Sequence, residues 1–155
     1  MLSEFYEFGG TLFRIDSEEP LLESKYTAPF VCAGTKTPDF VITVGYSGEK
    51  IQNGFSNAKR SGSSVRIEFA EGYRGKISAK NALEESGIFR MLAEHGGVVL
   101  HSSYIITQRG EALLFSAPSG TGKSTQAELC RSCAGAKVIN GDRALENGVT
   151  ANGIL

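Results

Sequence analysis

A run of small and hydroxyl residues that ends in a lysine is the part of this chain whose residue types could do chemistry. It reads Ser116-Ala-Pro-Ser-Gly-Thr-Gly-Lys-Ser-Thr125. Glycines let a turn adopt positive φ and let its backbone approach a ligand closely. Successive backbone N–H groups in such a turn form a concave site for phosphate. We therefore predict a phosphate-binding loop here, with a glycine- and serine-rich surface turn as the alternative.

Two polar side chains of this loop have an expected partner. Lys123 would reach the β- and γ-phosphates of a nucleotide, and the Ser124 hydroxyl would coordinate Mg²⁺. The chain departs from the pattern G-x-x-x-x-G-K-[ST] at the first position of the pattern, where it has Ala117 in place of glycine. The predicted nucleotide-binding residues are Ser119, Gly120, Thr121, Gly122, Lys123, Ser124 and Thr125.

The segments around the loop have the pattern that such a loop requires. An apolar run at 111–116 predicts a buried strand, and 124–133 predicts a helix with Ala127, Cys130 and Ala134 on one face. Gly135 is placed to end that helix, and 137–140 predicts the next strand.

An acidic residue follows that last strand. Asp142 stands where a Walker B carboxylate would hold Mg²⁺ or act as a base. We therefore take Lys123 and Asp142 as candidate catalytic residues, and Ser124 and Asp142 as candidate metal ligands. The alternative for Asp142 is a turn aspartate, because Asn-Gly-Asp is a common turn sequence.

The segment before the loop narrows the choice of family. Val98-Val-Leu-His-Ser-Ser-Tyr-Ile-Ile106, followed closely by the loop strand, predicts an antiparallel hairpin. With the S-G-x-G-K-S loop, the short helix and the later acid, residues 97–145 resemble HPr kinase/phosphorylase and the bacterial HPr kinase-like proteins. They are also similar to ATP-dependent phosphoenolpyruvate carboxykinase, whose loop is S-G-T-G-K-T.

The resemblance implies ATP- and Mg²⁺-dependent phosphoryl transfer, with a protein serine as the acceptor in HPr kinase. Lys123 and Ser124 match the family loop directly. Asp142 matches in part, since the family shows two adjacent aspartates and this chain has Gly141-Asp142. His101 lies about one residue from the family's histidine, and a histidine satisfied within a strand is the alternative.

The fold expected is α+β or α/β, in three parts. Residues 1–80 form a β-rich region with strands at 40–46 and 64–69 and weaker candidates at 12–15 and 73–77. A linking helix occupies 81–96, with Asn81 as its N-cap. Residues 97–155 form a partial P-loop nucleotide-binding core of the HPr kinase/phosphoenolpyruvate carboxykinase type.

Three functions are compatible with these features. The first is a kinase that uses ATP on a serine of a protein or peptide. The second is a nucleotide-binding module without turnover that acts through a partner. The third is a carboxykinase-like enzyme. Because the family continues beyond the acid, we expect a shortened member, in which case the kinase is incomplete and inactive.

Composition excludes several classes. With 16 Lys and Arg against 17 Asp and Glu there is no basic stripe, so we expect no nucleic-acid partner. No apolar run is long enough for a bilayer and the start is acidic, which favours a cytoplasmic location without membrane contact. The pair Cys130 and Cys133 has metal or redox spacing, but a structural role is favoured. The oligomeric state is open.

Overall fold

The structure is a computed structural model that describes residues 1–140, 143–146 and 151–153. It is a mixed α/β structure with two sheets and three α-helices in the described part. The chain divides into two compact units, Met1–Met91 and Leu92–Leu155. None of the described helices is long and apolar enough to cross a membrane.

The first unit contains a five-stranded sheet in the order β1-β2-β3-β5-β4. Its strands are β1 (Leu2–Phe8), β2 (Thr11–Ser17), β3 (Phe40–Ser47), β4 (Ser56–Ser61) and β5 (Ser64–Ala70). The pairs β2–β3 and β3–β5 are parallel, and the two outer pairs are antiparallel.

One face of this sheet carries the core. In β5, Val65, Ile67 and Phe69 are buried while Arg66 is exposed, as the alternation of the sequence predicts. The aromatic residues of the first strands continue this core: the ring centroid of Phe13 lies 5.8 Å from that of Phe8 and 5.4 Å from that of Phe40.

Two features of this unit differ from the sequence prediction. No strand forms at 73–77, where a short 3-10 helix, Glu71–Tyr73, is followed by a turn at Gly75 with φ of 71°. Strand β4 was not predicted, because its sequence is polar and almost wholly exposed. It is held by pairing along its whole length with β5.

The single linking helix predicted from Asn81 is wrong in its extent. Two helices occupy this region, α1 (Ala79–Glu85) and α2 (Ile88–Glu94). Gly87 separates them with φ of 78°, a conformation that a continuous helix does not contain. Asn81 is not the N-cap: it is the third helical residue of a capping box whose N-cap is Ser78.

The second unit is a sheet with β6 at its centre. Its elements are β6 (Val98–Ile106), β7 (Ala112–Ser116), α3 (Lys123–Ala134), β8 (Lys137–Asn140), β9 (Arg143–Glu146) and β10 (Ala151–Gly153). The antiparallel β6–β7 hairpin confirms the predicted pairing, but the prediction that the loop strand is buried is wrong, because the residues of β7 are exposed or half-buried. β9 and β8 pair in turn with the first and second halves of β6.

Helix α3 packs on this sheet through small residues. Ile105, Ala127 and Ala136 are buried together, with Phe115, Cys130 and Val138 packed against them. Ala134, predicted to share a face with Ala127 and Cys130, is the last residue of the helix and is exposed. Gly135 ends α3 in the left-handed conformation, with φ of 62°, as predicted.

Candidate functional site

A six-residue loop at 117–122 joins the end of β7 to the start of α3. Gly120 and Gly122 have φ of 80° and 91°, in the left-handed region. A Cβ atom built on either residue would meet nothing within 4 Å. Glycine is therefore favoured at these two positions by the backbone conformation and not by lack of space.

The first N–H groups of α3 are not bonded by a capping side chain. Gly122 is the N-cap, no side chain caps the helix, and no acidic residue lies in its first turn. The first helical hydrogen bond runs from Gln126 N to Gly122 O at 2.8 Å. The positive end of the helix dipole and its first N–H groups are thus suited to an anion.

The loop and the helix start line an open cavity of about 360 Å³. Six of the seven predicted nucleotide-binding residues line it, together with a histidine of β6: His101, Ser119, Gly120, Gly122, Lys123, Ser124 and Thr125. Thr121 is not among them, since its Oγ1 donates a hydrogen bond of 2.7 Å to the carbonyl oxygen of Pro118.

Lys123 is folded over its own loop. Its Nζ atom donates to the carbonyl oxygens of Ala117 at 2.8 Å and Pro118 at 3.1 Å. The side chain is half-buried and still lines the cavity. A phosphate that enters the cavity therefore competes with two neutral carbonyls for the ammonium group.

Pro118 has a role that sequence reasoning missed. Its carbonyl oxygen accepts hydrogen bonds from both Thr121 and Lys123. Pro118 therefore connects the beginning of the loop to its end. The signal in the sequence was a threonine three residues after a proline, a spacing at which a hydroxyl can close a turn.

His101 is an exposed residue in the first half of β6, and it lines the same cavity. Its carbonyl oxygen accepts a bond of 3.5 Å from Ser116 Oγ, at the end of β7. Alternation along β6 places His101 on the same side as Ile105, which packs against α3. The structure thus brings His101 and the loop to the same cavity. The spacing in the sequence did not decide whether His101 lies at the site.

Of the two Mg²⁺ ligands predicted from the sequence, the structure describes one, Ser124. Ser124 is exposed at the cavity, with a hydroxyl of the kind that Mg²⁺ accepts as a ligand. Asp142 and its neighbour Gly141 lie outside the described residues. Among the residues that are described, no three His, Cys, Asp or Glu side chains gather into a group that could hold a metal ion.

The donor set nevertheless fits a nucleotide-borne cation. Mg²⁺ is commonly held by one or two protein oxygens, with phosphates and waters as its other ligands. The Ser124 hydroxyl supplies one such oxygen beside the lysine.

Cys130 and Cys133 carry free thiols on α3. Cys130 is half-buried and packs against the core of the second unit, while Cys133 is exposed. The position of Cys130 agrees with the structural role that the sequence favoured, whereas the exposed position of Cys133 does not.

Comparison of the chain with protein-family models gives no match, and comparison with curated proteins gives none either. The geometry of the loop therefore carries the functional argument.

Proposed function

We propose that this chain is an ATP-binding P-loop protein of the HPr kinase-like type. It transfers the γ-phosphoryl group of ATP to a serine hydroxyl of a protein or peptide. The observation that carries the proposal is a turn with two left-handed glycines, Gly120 and Gly122, that places Lys123 at the start of an uncapped helix.

Binding follows from the groups at the cavity. The polyphosphate lies against the loop and the first turn of α3, where N–H groups and the helix dipole favour negative charge. Lys123 exchanges its bonds to Ala117 and Pro118 for bonds to phosphate oxygens. This exchange is favourable because a charged acceptor makes a stronger hydrogen bond with an ammonium than a neutral carbonyl does.

Mg²⁺, when bound with the nucleotide beside Ser124, neutralises charge on the phosphates. In the transfer, a bond forms between the serine oxygen and the γ-phosphorus while the bond from that phosphorus to the β–γ bridging oxygen breaks, and ADP leaves. The proton of the serine hydroxyl passes to a base. His101 is the candidate that lines the cavity, and Asp142 is the candidate from the sequence.

A second function is supported by the composition of the cavity lining. The described residues that line it include a lysine, a histidine and hydroxyl groups but no carboxylate. This set suits a module that binds nucleotide without turnover and signals through a partner. A carboxykinase-like reaction is less favoured, since none of the described residues that line the cavity is an arginine that could bind an oxo-acid.

Nucleotide turnover by the purified chain separates these functions. We expect γ-labelled ATP with Mg²⁺ to label a serine-containing peptide or protein and to form ADP. Lys123→Ala abolishes both, and Lys137→Ala, which changes an exposed lysine outside the cavity, abolishes neither. Saturable binding without ADP identifies the module instead. Absence of binding by the folded wild-type chain contradicts both.

A further inference from the structure

A separate cavity lies beside β1 in the first unit. Its volume is about 730 Å³, within the range of about 300–1,000 Å³ for small-molecule sites. Much of its wall is apolar, including Leu21, Leu22 and Val31. Leu22 and Val31 are 51% and 60% exposed, so they present apolar surface that a ligand would remove from water.

The wall of this cavity is anchored by backbone hydrogen bonds. Leu22 N donates to Ile77 O at 2.8 Å on one side, and Cys32 N donates to Phe5 O at 3.0 Å on the other. Between them, the N–H groups of Thr27 and Ala28 both donate to Ser24 O. Cavities that bind small molecules are usually preformed. These backbone hydrogen bonds hold the wall of this cavity in place without a ligand.

Two polar side chains of β1 converge at this cavity. Glu4 and Tyr6 are two residues apart on the strand and share a face, and the Tyr6 hydroxyl donates to Glu4 Oε2 at 2.5 Å. Burial, followed by the bond to Glu4, raises the pKa of Tyr6 far above its ordinary value, so the phenol remains a donor. Tyr6 uses one of about four lone-pair positions of the Glu4 carboxylate, which leaves acceptor capacity for a ligand.

The charge of the lining favours a cation. Two carboxylates, Glu4 and Glu23, and one ammonium, Lys25, line the cavity. The Lys25 Nζ atom lies 5.0 Å from the centroid of the Tyr26 ring, where a cation–π contact holds it.

From this geometry we propose that the cavity binds a small primary amine with an apolar body. The ammonium group donates to Glu4, and the body packs against Leu22 and Val31. The cationic head matches the excess of carboxylates, and the apolar body covers the exposed wall. This site does not depend on the phosphate loop or on the function proposed for it.

Three probes with the same phenylethyl body test the proposal on the full chain: phenethylamine, 2-phenylethanol and 3-phenylpropanoate, each titrated by amide NMR. We expect saturable shifts at Glu4, Tyr6, Leu22 and Val31 with the amine, at a Kd of ~1 mM or tighter. The alcohol should bind about tenfold more weakly or worse, because it lacks the charged hydrogen bond. The acid should bind most weakly. Equal affinity for all three, a preference for the acid, or no saturable shift with the amine overturns the proposal.

Two variants and a control assign the contacts. Glu4→Gln keeps an acceptor for Tyr6 but removes the charge, so it should lower amine affinity about tenfold and leave the alcohol unaffected. Leu22→Ala should weaken the amine and the alcohol alike. Glu49→Gln makes the same change at an exposed carboxylate outside the cavity and should have no effect. An equal loss of affinity in Glu4→Gln and Glu49→Gln contradicts the assignment, and the wild-type probe series decides the proposal even if Glu4→Gln fails to fold.

Discussion

The Nζ atom of Lys123 lies 2.8 Å from the carbonyl oxygen of Ala117, to which it donates a hydrogen bond. Ala117 is the residue that stands where the phosphate-loop pattern has its first glycine. The ammonium group of Lys123 is therefore hydrogen-bonded by the backbone of Ala117, the residue whose side chain departs from the pattern. A carbonyl can accept this bond whatever residue carries it, so alanine keeps this contact.

Nucleotide should stabilise the chain through this lysine. At a hundred times its Kd, Mg-ATP should add about 2.7 kcal/mol to the free energy of unfolding, or roughly 5–10 °C in Tm. Lys123→Ala should abolish the shift, because it removes the charge that meets the phosphates. Differential scanning fluorimetry with and without millimolar Mg-ATP measures it. An unchanged wild-type Tm counts against the site, and Lys137→Ala should shift as the wild type does.

The turn should depend on Gly120 through backbone conformation. Gly120→Ala should lower the free energy of unfolding of the second unit by about 1–2 kcal/mol, because a Cβ atom is strained at positive φ. Nothing lies within 4 Å of that Cβ, so a steric clash adds no further cost. Urea unfolding gives the value.

Gly48→Ala is a matched control for that experiment. Its Cβ also meets nothing within 4 Å, and its φ lies outside the left-handed region. Its effect should be much smaller than that of Gly120→Ala. Equal destabilisation by the two substitutions would mean that the left-handed turn does not explain the loss, because at a compatible position Gly→Ala lowers the entropy of the unfolded chain and so stabilises the fold.

The parts of the fold that were predicted correctly are those with strong local signals. Alternation in 64–69 predicted β5, the apolar runs around the turn predicted the β6–β7 hairpin, and the loop sequence predicted where α3 would begin within a residue. Gly135 was predicted as the end of α3 because a left-handed residue commonly ends a helix.

The parts that were missed depend on tertiary contacts or on single dihedral angles. Strand β4 has no apolar alternation, and its partner β5 holds it in the sheet. Gly87 divides the predicted helix in two through its positive φ, which helix propensity alone does not specify. The position of His101 beside the loop follows from the β6–β7 register, which depends on the geometry of the turn as well as on the hydrophobic pattern.

His101 should affect transfer more than binding if it takes the proton of the acceptor serine. His101→Gln should lower the rate of phosphoryl transfer by about 10²–10⁴-fold, the usual effect of losing a general base. Nucleotide affinity should change little, because Lys123 and the loop backbone remain. Single-turnover transfer and equilibrium binding of ATP measure the two effects separately.

The control for this substitution is the other histidine of the chain. His95→Gln makes the same change at a residue that does not line the cavity, and the rate of transfer should be unaffected. A large loss of affinity in His101→Gln, with transfer from the bound state intact, would assign His101 to phosphate binding instead.

Tyr6 should make stability fall at alkaline pH. Its pKa is raised in the folded chain by burial and by the bond to Glu4, whereas in the unfolded chain it is about 10. Above pH ~10 the unfolded chain loses this proton while the folded chain keeps it, so the stability contributed below that pH is lost as the pH rises. The loss should reach up to about 1.4 kcal/mol per pH unit.

Tyr6→Phe should remove this part of the pH dependence. The variant is expected to be less stable than the wild type at pH 8, because it lacks the hydrogen bond to Glu4, and the gap should narrow toward pH 11. Urea unfolding at several pH values measures the gap. The pKa of Tyr46 is also raised by burial, but Tyr46 is present in both proteins and cancels in the difference. A gap that stays constant from pH 8 to 11 would show that Tyr6 titrates alike in the folded and unfolded chains.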